Sequence, residues 1–234
     1  MPVELLFKLV NYLLKLDAFM LLLNRKFIIL QILLLWLTAS VSAQDSANRL
    51  QSFSKLSRPE KWWVIKHVFI AKKAFQLSQV AMKIAHQMEK SDTLDGDISG
   101  GQVDAFKHAY WMALLAQEIS ENKALRLGKA HEKGNYLELK KAKKKGIYNS
   151  HDAVASEMDL YNNQIGIEIG LQYPEASREE LKLLITEAIL SGKMMVIKKN
   201  EKGEFLDENG DTIPKEKLIG IWETDKVLVK SDYR

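Results

Sequence analysis

The sequence contains no cysteine among its 234 residues. This absence excludes a disulfide scaffold, a zinc site with cysteine ligands, an iron–sulfur cluster and a cysteine nucleophile. Excess charge of one sign is also small, because 34 basic and 30 acidic residues leave a formal net charge of +4. A charge this low gives no strong indication of nucleic-acid binding. Hydrophobic residues make up 47% of the chain, so the composition predicts a globular protein with a substantial core.

Long apolar runs are concentrated at the N-terminus. A basic pair at 25–26 precedes an apolar stretch at 27–37, and the small residues at 41–43 match a signal-peptidase site. We interpret residues 1–43 as a signal-peptide region, with Met20 as the expected true start, and predict a periplasmic or secreted protein. The alternative is a retained membrane anchor, although the apolar stretch is shorter than the ~20 residues that span a bilayer.

The pattern of the remaining chain predicts a mainly α protein. After a polar leader at 44–58, a bundle of about five helices is expected over 59–192, followed by a small β-hairpin element over 193–234. The predicted helices occupy residues 59–89, 103–120, 123–133, 151–171 and 177–190. Residues 134–149 are predicted to hold a helical turn and a basic loop.

The predicted β element rests on a change of periodicity. Residues 194–198 and 204–206, separated by a turn at 200–203, are typical of a hairpin. Residues 218–222 and 226–229 are weaker strand candidates.

Polar residues interrupt the apolar faces of three predicted helices. In the second helix, Asp104 and His108 lie on the same stripe as Trp111 and the apolar residues that follow it. Because Asp104 and His108 are four residues apart, their side chains can touch. The carboxylate and the imidazole therefore continue a face that is expected to be buried.

The other two helices repeat this arrangement. His131 extends an apolar stripe, and Glu132 is its neighbour, rotated about 100° around the helix. The third segment carries a stripe of polar and small residues beside an apolar one: Asp159, Asn162, Asn163, Gly166 and Gly170. Glycines four apart in a helix leave a groove in which another helix can approach closely.

Buried unpaired charges cost several kcal/mol, so these stripes are expected to meet and satisfy one another, or to share a metal ion. Two histidines and several carboxylates suit a divalent ion such as zinc. We predict His108, His131 and Asp159 as metal ligands, or alternatively His108 with Asp104 as a base and its orienting partner. Glu132 is predicted as a general base or a further ligand. Trp111, Asn162 and Asn163 are predicted to orient a substrate or to fix the helices.

Three motifs in this order resemble a bacterial domain family of unknown function. They are DAFKHAYW at 104–111, AHE at 130–132 and MDLYNNQIG at 158–166. The resemblance covers residues 102–170 and implies an exported or toxin-like context. It also implies a shared polar site, formed by Asp104, His108, Trp111, His131, Glu132, Asp159, Asn162, Asn163 and Gly166. Lys107 stands where the family usually has arginine, and lysine cannot reproduce a bidentate guanidinium contact.

Two functions remain open at this point. The first is an exported, metal-assisted hydrolase whose substrate is a phosphodiester, a lipid ester or a cell-wall bond. The second is a non-catalytic envelope protein whose polar network locks the bundle and whose C-terminal part binds a partner. A catalytic centre must open to a pocket, whereas a locking network is sealed. No partner is identified, and membrane contact is expected only through an uncleaved N-terminal segment.

Overall fold

The computed structural model describes residues 51–145 and 151–233. The chain divides into two compact units, residues 1–56 and 57–234, and the predicted signal region at 1–43 lies outside the described residues. The second unit contains the elements α1 (Arg58–Lys66), α2 (Val68–Glu89), α3 (Gln102–Glu118), α4 (Glu121–Lys145), α5 (Ala153–Gln172), α6 (Arg178–Leu190), β1 (Met195–Ile197), a short 3₁₀ helix (Lys215–Lys217) and β2 (Leu228–Lys230). The predicted mainly helical class is therefore confirmed. None of the described helices combines the length and the apolar character needed to cross a bilayer.

Helix α3 is the centre of the core. Most of its own side chains are buried, on every face of the helix, including Phe106, Tyr110, Met112 and Leu115. Its most extensive helix partner is α5. A helix that is buried all round holds its polar residues inside the protein, and this is how α3 positions the candidate site.

The predicted close approach at the two glycines of α5 is confirmed. A Cβ atom built on Gly166 would lie 2.1 Å from the carbonyl oxygen of Ala109, and one built on Gly170 would lie 2.5 Å from that of Ala113. These distances are far below van der Waals contact. The two glycines therefore allow the backbones of α3 and α5 to pack directly against each other.

Several helix ends follow their sequence signals. Ser57 and Glu60 form a capping box at α1, and Ser177 and Glu180 form another at α6. Asp152 caps α5 by accepting a hydrogen bond from the backbone of the first turn.

The first predicted helix is broken at His67, where α1 ends and α2 begins. The His67 backbone leaves the helical region, with φ −128° and ψ 39°, and its Nδ1 lies 2.8 Å from the carbonyl oxygen of Trp63. The imidazole thus binds a carbonyl at the end of α1. The single helix predicted at 59–89 is corrected to two helices.

Helix α4 is longer than the predicted 123–133. Gly134 lies inside the helix, where a Cβ atom would be 2.4 Å from the Ser57 hydroxyl. This glycine serves close packing against the start of α1. The residues beyond it are mostly good helix formers, and Leu139 is buried.

The C-terminal β element is present, but its strand pairing differs from the predicted one. β1 pairs antiparallel with β2, with Val196 opposite Val229. Residues 204–206 form only isolated bridges. The turn at 200–203 does form, but β1 pairs with residues that lie 31–35 positions further along the chain. Local sequence patterns carry no information about such long-range pairing. The predicted hairpin therefore placed the partner of β1 at 204–206 instead of at β2.

Candidate functional site

Three buried side chains converge between α3 and α5. His108 Nε2 lies 3.3 Å from Asp159 Oδ1 and 3.8 Å from Asp104 Oδ1. One potential ligand atom from each of the three residues lies within 4.8 Å of the others. We call Asp104, His108 and Asp159 the central cluster. Its formation confirms that the polar stripes of two predicted helices meet.

A second group shares Asp159 with the central cluster. Glu132 of α4, His151 just before α5 and Asp159 also place ligand atoms within 4.8 Å of one another. His151 Nε2 lies 3.1 Å from Glu132 Oε2, which also accepts hydrogen bonds from Ser156 and Asn135. We call Glu132, His151 and Asp159 the adjacent cluster.

Two carboxylate oxygens in these clusters are buried without a hydrogen bond. Glu132 Oε1 and Asp159 Oδ1 accept none from the described part of the chain. Both side chains are more than nine-tenths buried. Asp159 Oδ1 does lie 3.3 Å from His108 Nε2, but neither oxygen accepts a hydrogen bond that would offset the cost of its burial. These oxygens therefore indicate a place where a cation would be stabilised.

The pKa shifts in the central cluster also favour a bound cation. Burial lowers the pKa of His108 well below its usual range, and the charges of Lys107 and His131 act in the same direction. Burial raises the pKa of Asp159 well above its usual range, and the charges of Asp104 and Glu132 raise it further. A bound divalent cation would favour the ionised carboxylate and the neutral imidazole, which are the forms that coordinate metals.

Asp104 is held from two sides. Its Oδ2 accepts a hydrogen bond of 2.8 Å from the backbone N–H of Gly100, and its Oδ1 pairs with the ammonium of Lys107. The lysine at the position where the resembling family has arginine therefore makes a single-point contact with this carboxylate.

His131 lies beside the central cluster and is held by a different acid. Its Nδ1 is 2.9 Å from Glu60 Oε1, and its ring centroid is 6.2 Å from that of His108. Burial on its own would lower the pKa of His131, but the hydrogen bond to Glu60 and the charge of Glu132 reverse this effect and raise it. Trp111 packs edge-on against the His131 ring.

A cavity of about 310 Å³ lies against these groups. The charged or titratable side chains that line it between α3, α4 and α5 are Asp104, Lys107, His108, His131, His151 and Asp159. The cavity is partly open to solvent, and His131 on its lining has a partly exposed side chain. An accessible cavity is the feature that separates a reactive centre from a sealed polar network.

The opposite wall of the cavity comes from the C-terminal element, through Ile197, Phe205 and Lys226. Lys226 Nζ lies 2.8 Å from Asp152 Oδ2 in an ion pair whose side chains are each 1% exposed. The same ammonium sits 4.0 Å from the centroid of the Phe205 ring. The C-terminal segment is thus fixed to the start of α5 directly above the site.

The structure brings together most of the residues predicted as catalytic or metal-binding. Asp104, His108 and Asp159 form the central cluster, and Glu132 belongs to the adjacent one. His131 lines the same cavity but contributes to neither cluster, because Glu60 holds its ring.

The residues predicted to orient a substrate or fix the helices make mostly internal contacts. Asn162 exchanges two hydrogen bonds with the backbone of Met195, at 2.9 and 3.0 Å. Trp111 donates from Nε1 to the hydroxyl of Ser78. Asn163 is buried beside His108, and its amide partly offsets the lowering of the pKa that burial causes in that imidazole. Asn162 therefore fixes β1 to α5.

Sequence reasoning missed three residues of the site. The sequence pattern places His151 and Glu60 near the starts of two predicted helices and gives neither a role in the site. It places Lys226 in a weak strand candidate. A buried pair such as Glu60 with His131 joins residues far apart in the chain, and no local spacing marks it.

A model of the family described as Domain of unknown function (DUF6973) matches residues 61–193, which is more than half of the chain. The match includes both clusters and ends before β1. Comparisons with curated proteins and with solved structures give no match. The resemblance to a domain family of unknown function is confirmed.

Proposed function

We propose that this chain, which belongs to the family of unknown function DUF6973, is a metal-assisted hydrolase. The observation that carries the proposal is the central cluster of Asp104, His108 and Asp159, which is buried and yet lines an accessible cavity. Two carboxylates and an imidazole in this arrangement are the ligand types that hold zinc or manganese. Three protein ligands leave further coordination positions for water and substrate.

Asp104, His108 and Asp159 would hold the ion, and the ion would supply a water of lowered pKa as the nucleophile for hydrolysis. Attack of this water on a carbon or phosphorus centre would break the bond to the leaving group and release one proton to solvent. The leaving group would need a proton in return, and an acid of this chain in the cavity would donate it.

His131 is suited to be that acid. It lines the cavity, and Glu60 both orients the ring and favours its protonated form. A general acid held in this way typically contributes about 10²–10⁴-fold to a rate. Glu132 does not line the cavity, which favours its alternative role as a ligand over its role as a general base.

The test combines hydrolysis with metal dependence. Nitrophenyl phosphodiester, phosphomonoester and carboxylic ester substrates are assayed with added Zn²⁺ or Mn²⁺, and again with a chelator. We expect one class to be hydrolysed only with metal, and this activity to be lost in His108→Asn and Asp159→Asn. His131→Gln should keep metal binding and lower the rate by about 10²-fold or more.

His86→Gln is the matched control, because His86 is exposed and pairs with Glu89 on its own helix, away from both clusters. Hydrolysis that persists with chelator and in both cluster variants would contradict the proposal. So would the failure of the purified wild-type protein to bind either metal ion.

The non-catalytic function keeps one specific observation in its favour. Asn162 and Asp152 both tie the C-terminal element to α5, as a structural network would. In that case Asp159→Asn and His108→Asn would lower the stability of the protein without removing any metal binding. Metal titration of these variants therefore separates the two functions.

We also propose export, which rests on the signal-like segment at 25–43. Mass spectrometry of the protein purified from its host should give a mature N-terminus at Gln44. Recovery of residues 1–43 intact would favour the membrane-anchored alternative.

A further inference from the structure

We propose that Glu132, His151 and Asp159 hold a second divalent metal ion, with Asp159 shared between the two ions. This inference rests on the proposed function, because the first ion occupies the central cluster of Asp104, His108 and Asp159. It assigns His151 and Glu132 as metal ligands. The site would then be a two-metal centre.

The geometry of the adjacent cluster supports this assignment. Its three potential ligand atoms lie within 4.8 Å of one another, as do those of the central cluster. Each cluster supplies two carboxylates and one imidazole. A carboxylate has two oxygens, so Asp159 can offer one to each ion, as bridging carboxylates do in sites whose ions are about 3.5–4 Å apart.

The unpartnered oxygens supply the second, independent observation. Glu132 already receives hydrogen bonds or charge contacts at Oε2 from Ser156, Asn135 and His151. Its Oε1 is buried and accepts no hydrogen bond from the described residues. Asp159 Oδ1 accepts none from them either, and its charge contact is the 3.3 Å approach of His108 Nε2. The partners at Oε2 orient the Glu132 carboxylate, as the outer contacts of metal-binding carboxylates do.

The charge balance also favours two ions over one. Three buried acids, Asp104, Glu132 and Asp159, lie close enough for their charges to affect one another. Lys107 pairs with the first of them on the cavity side. With a single divalent ion at the central cluster, the charge of Glu132 would be met by the polar contacts of Ser156, Asn135 and His151. A second ion would neutralise that charge directly.

The alternative is a plain ion pair between protonated His151 and Glu132, since their atoms are 3.1 Å apart. This pair would satisfy Glu132 Oε2 but would leave Oε1 buried without a partner. It would also make the site bind one ion at most. The two arrangements therefore differ in the number of metal ions bound per chain, which can be measured.

The experiment is a metal titration of the purified protein after removal of bound metal with a chelator. Zn²⁺ and Mn²⁺ are titrated by calorimetry, and the metal retained after gel filtration is measured by elemental analysis. We expect two ions per wild-type chain. Glu132→Gln and His151→Asn should each retain one ion, as should Asp104→Asn and His108→Asn.

Asp159→Asn removes the shared ligand, so binding of both ions should weaken by at least tenfold. Glu138→Gln and His86→Gln are the controls, because both residues are exposed and lie outside the clusters, and they should retain two ions. Circular dichroism and thermal unfolding of every variant establish that the protein is folded before its metal content is compared.

The outcomes separate the two proposals. One ion per wild-type chain, with Glu132→Gln and His151→Asn unchanged in affinity, would overturn the second site and leave the proposed hydrolase intact. No ion in the wild-type protein would overturn both. Because the wild-type stoichiometry alone distinguishes two ions from one, misfolding of a single variant does not remove the test.

Discussion

The buried ion pair between Lys226 and Asp152 offers a sharp test of how the C-terminal segment covers the site. Lys226→Met removes the ammonium while keeping most of the side-chain volume. Asp152 would then keep only the hydrogen bond from Thr224 and its helix-capping bond to Ala155. Removing one partner of a buried pair costs about 3–5 kcal/mol, because the remaining charge is uncompensated.

This cost corresponds to a decrease in Tm of about 6–20 °C for a protein of this size. Thermal unfolding followed by circular dichroism measures it, and urea titration gives the free energy of unfolding. The double variant Asp152→Asn with Lys226→Met should regain part of the loss, because asparagine still caps a helix and leaves no buried charge.

Lys141→Met is the matched control. Lys141 pairs with Glu138 at the surface, where both side chains are more than half exposed, and such pairs contribute about 0–1 kcal/mol. The reasoning is refuted if Lys226→Met costs no more than this control, or if the double variant is less stable than Lys226→Met alone.

Three further predictions concern packing and charge. Gly166→Ala should destabilise the protein by about 1–3 kcal/mol or more in urea unfolding, because the new Cβ would meet the Ala109 carbonyl; an unchanged stability would contradict the direct backbone packing. The raised pKa of His131 means that its bond to Glu60 stabilises the fold fully below pH 6.5 and that this stability is lost as pH rises through the folded pKa. Urea unfolding across pH should show this slope in the wild type, and His131→Gln should flatten it. Because the pKa of Asp159 is raised in the fold, Asp159→Asn should stabilise the metal-free protein at pH 7, and a lower Tm would refute this sign.

The sequence predicted the part of the site that lies on regular helices. Asp104 and His108 are one helical turn apart on a stripe of buried residues, so their shared face could be inferred from periodicity alone. Asp159 precedes Gly166 by nearly two turns, and the glycine indicated that its helix packs closely against another. Helical spacing therefore sufficed to bring α3 and α5, with their polar residues, to one place.

What the sequence could not predict depends on contacts between distant residues. Glu60 satisfies a helix cap and binds His131 at the same time, and only the first role has a local signature. The pairing of β1 with β2 depends on the path of the intervening chain, which places Lys226 over the cavity. The length of α4 depends on such a contact too, because Gly134 packs closely against Ser57 within the helix.

The most direct test of the central claim is a crystal of the protein soaked in Zn²⁺ and measured at the zinc absorption edge. An anomalous peak should appear about 2.0–2.2 Å from ligand atoms of Asp104, His108 and Asp159. A map that shows zinc only at exposed side chains such as His86, with no peak between α3 and α5, would contradict the account.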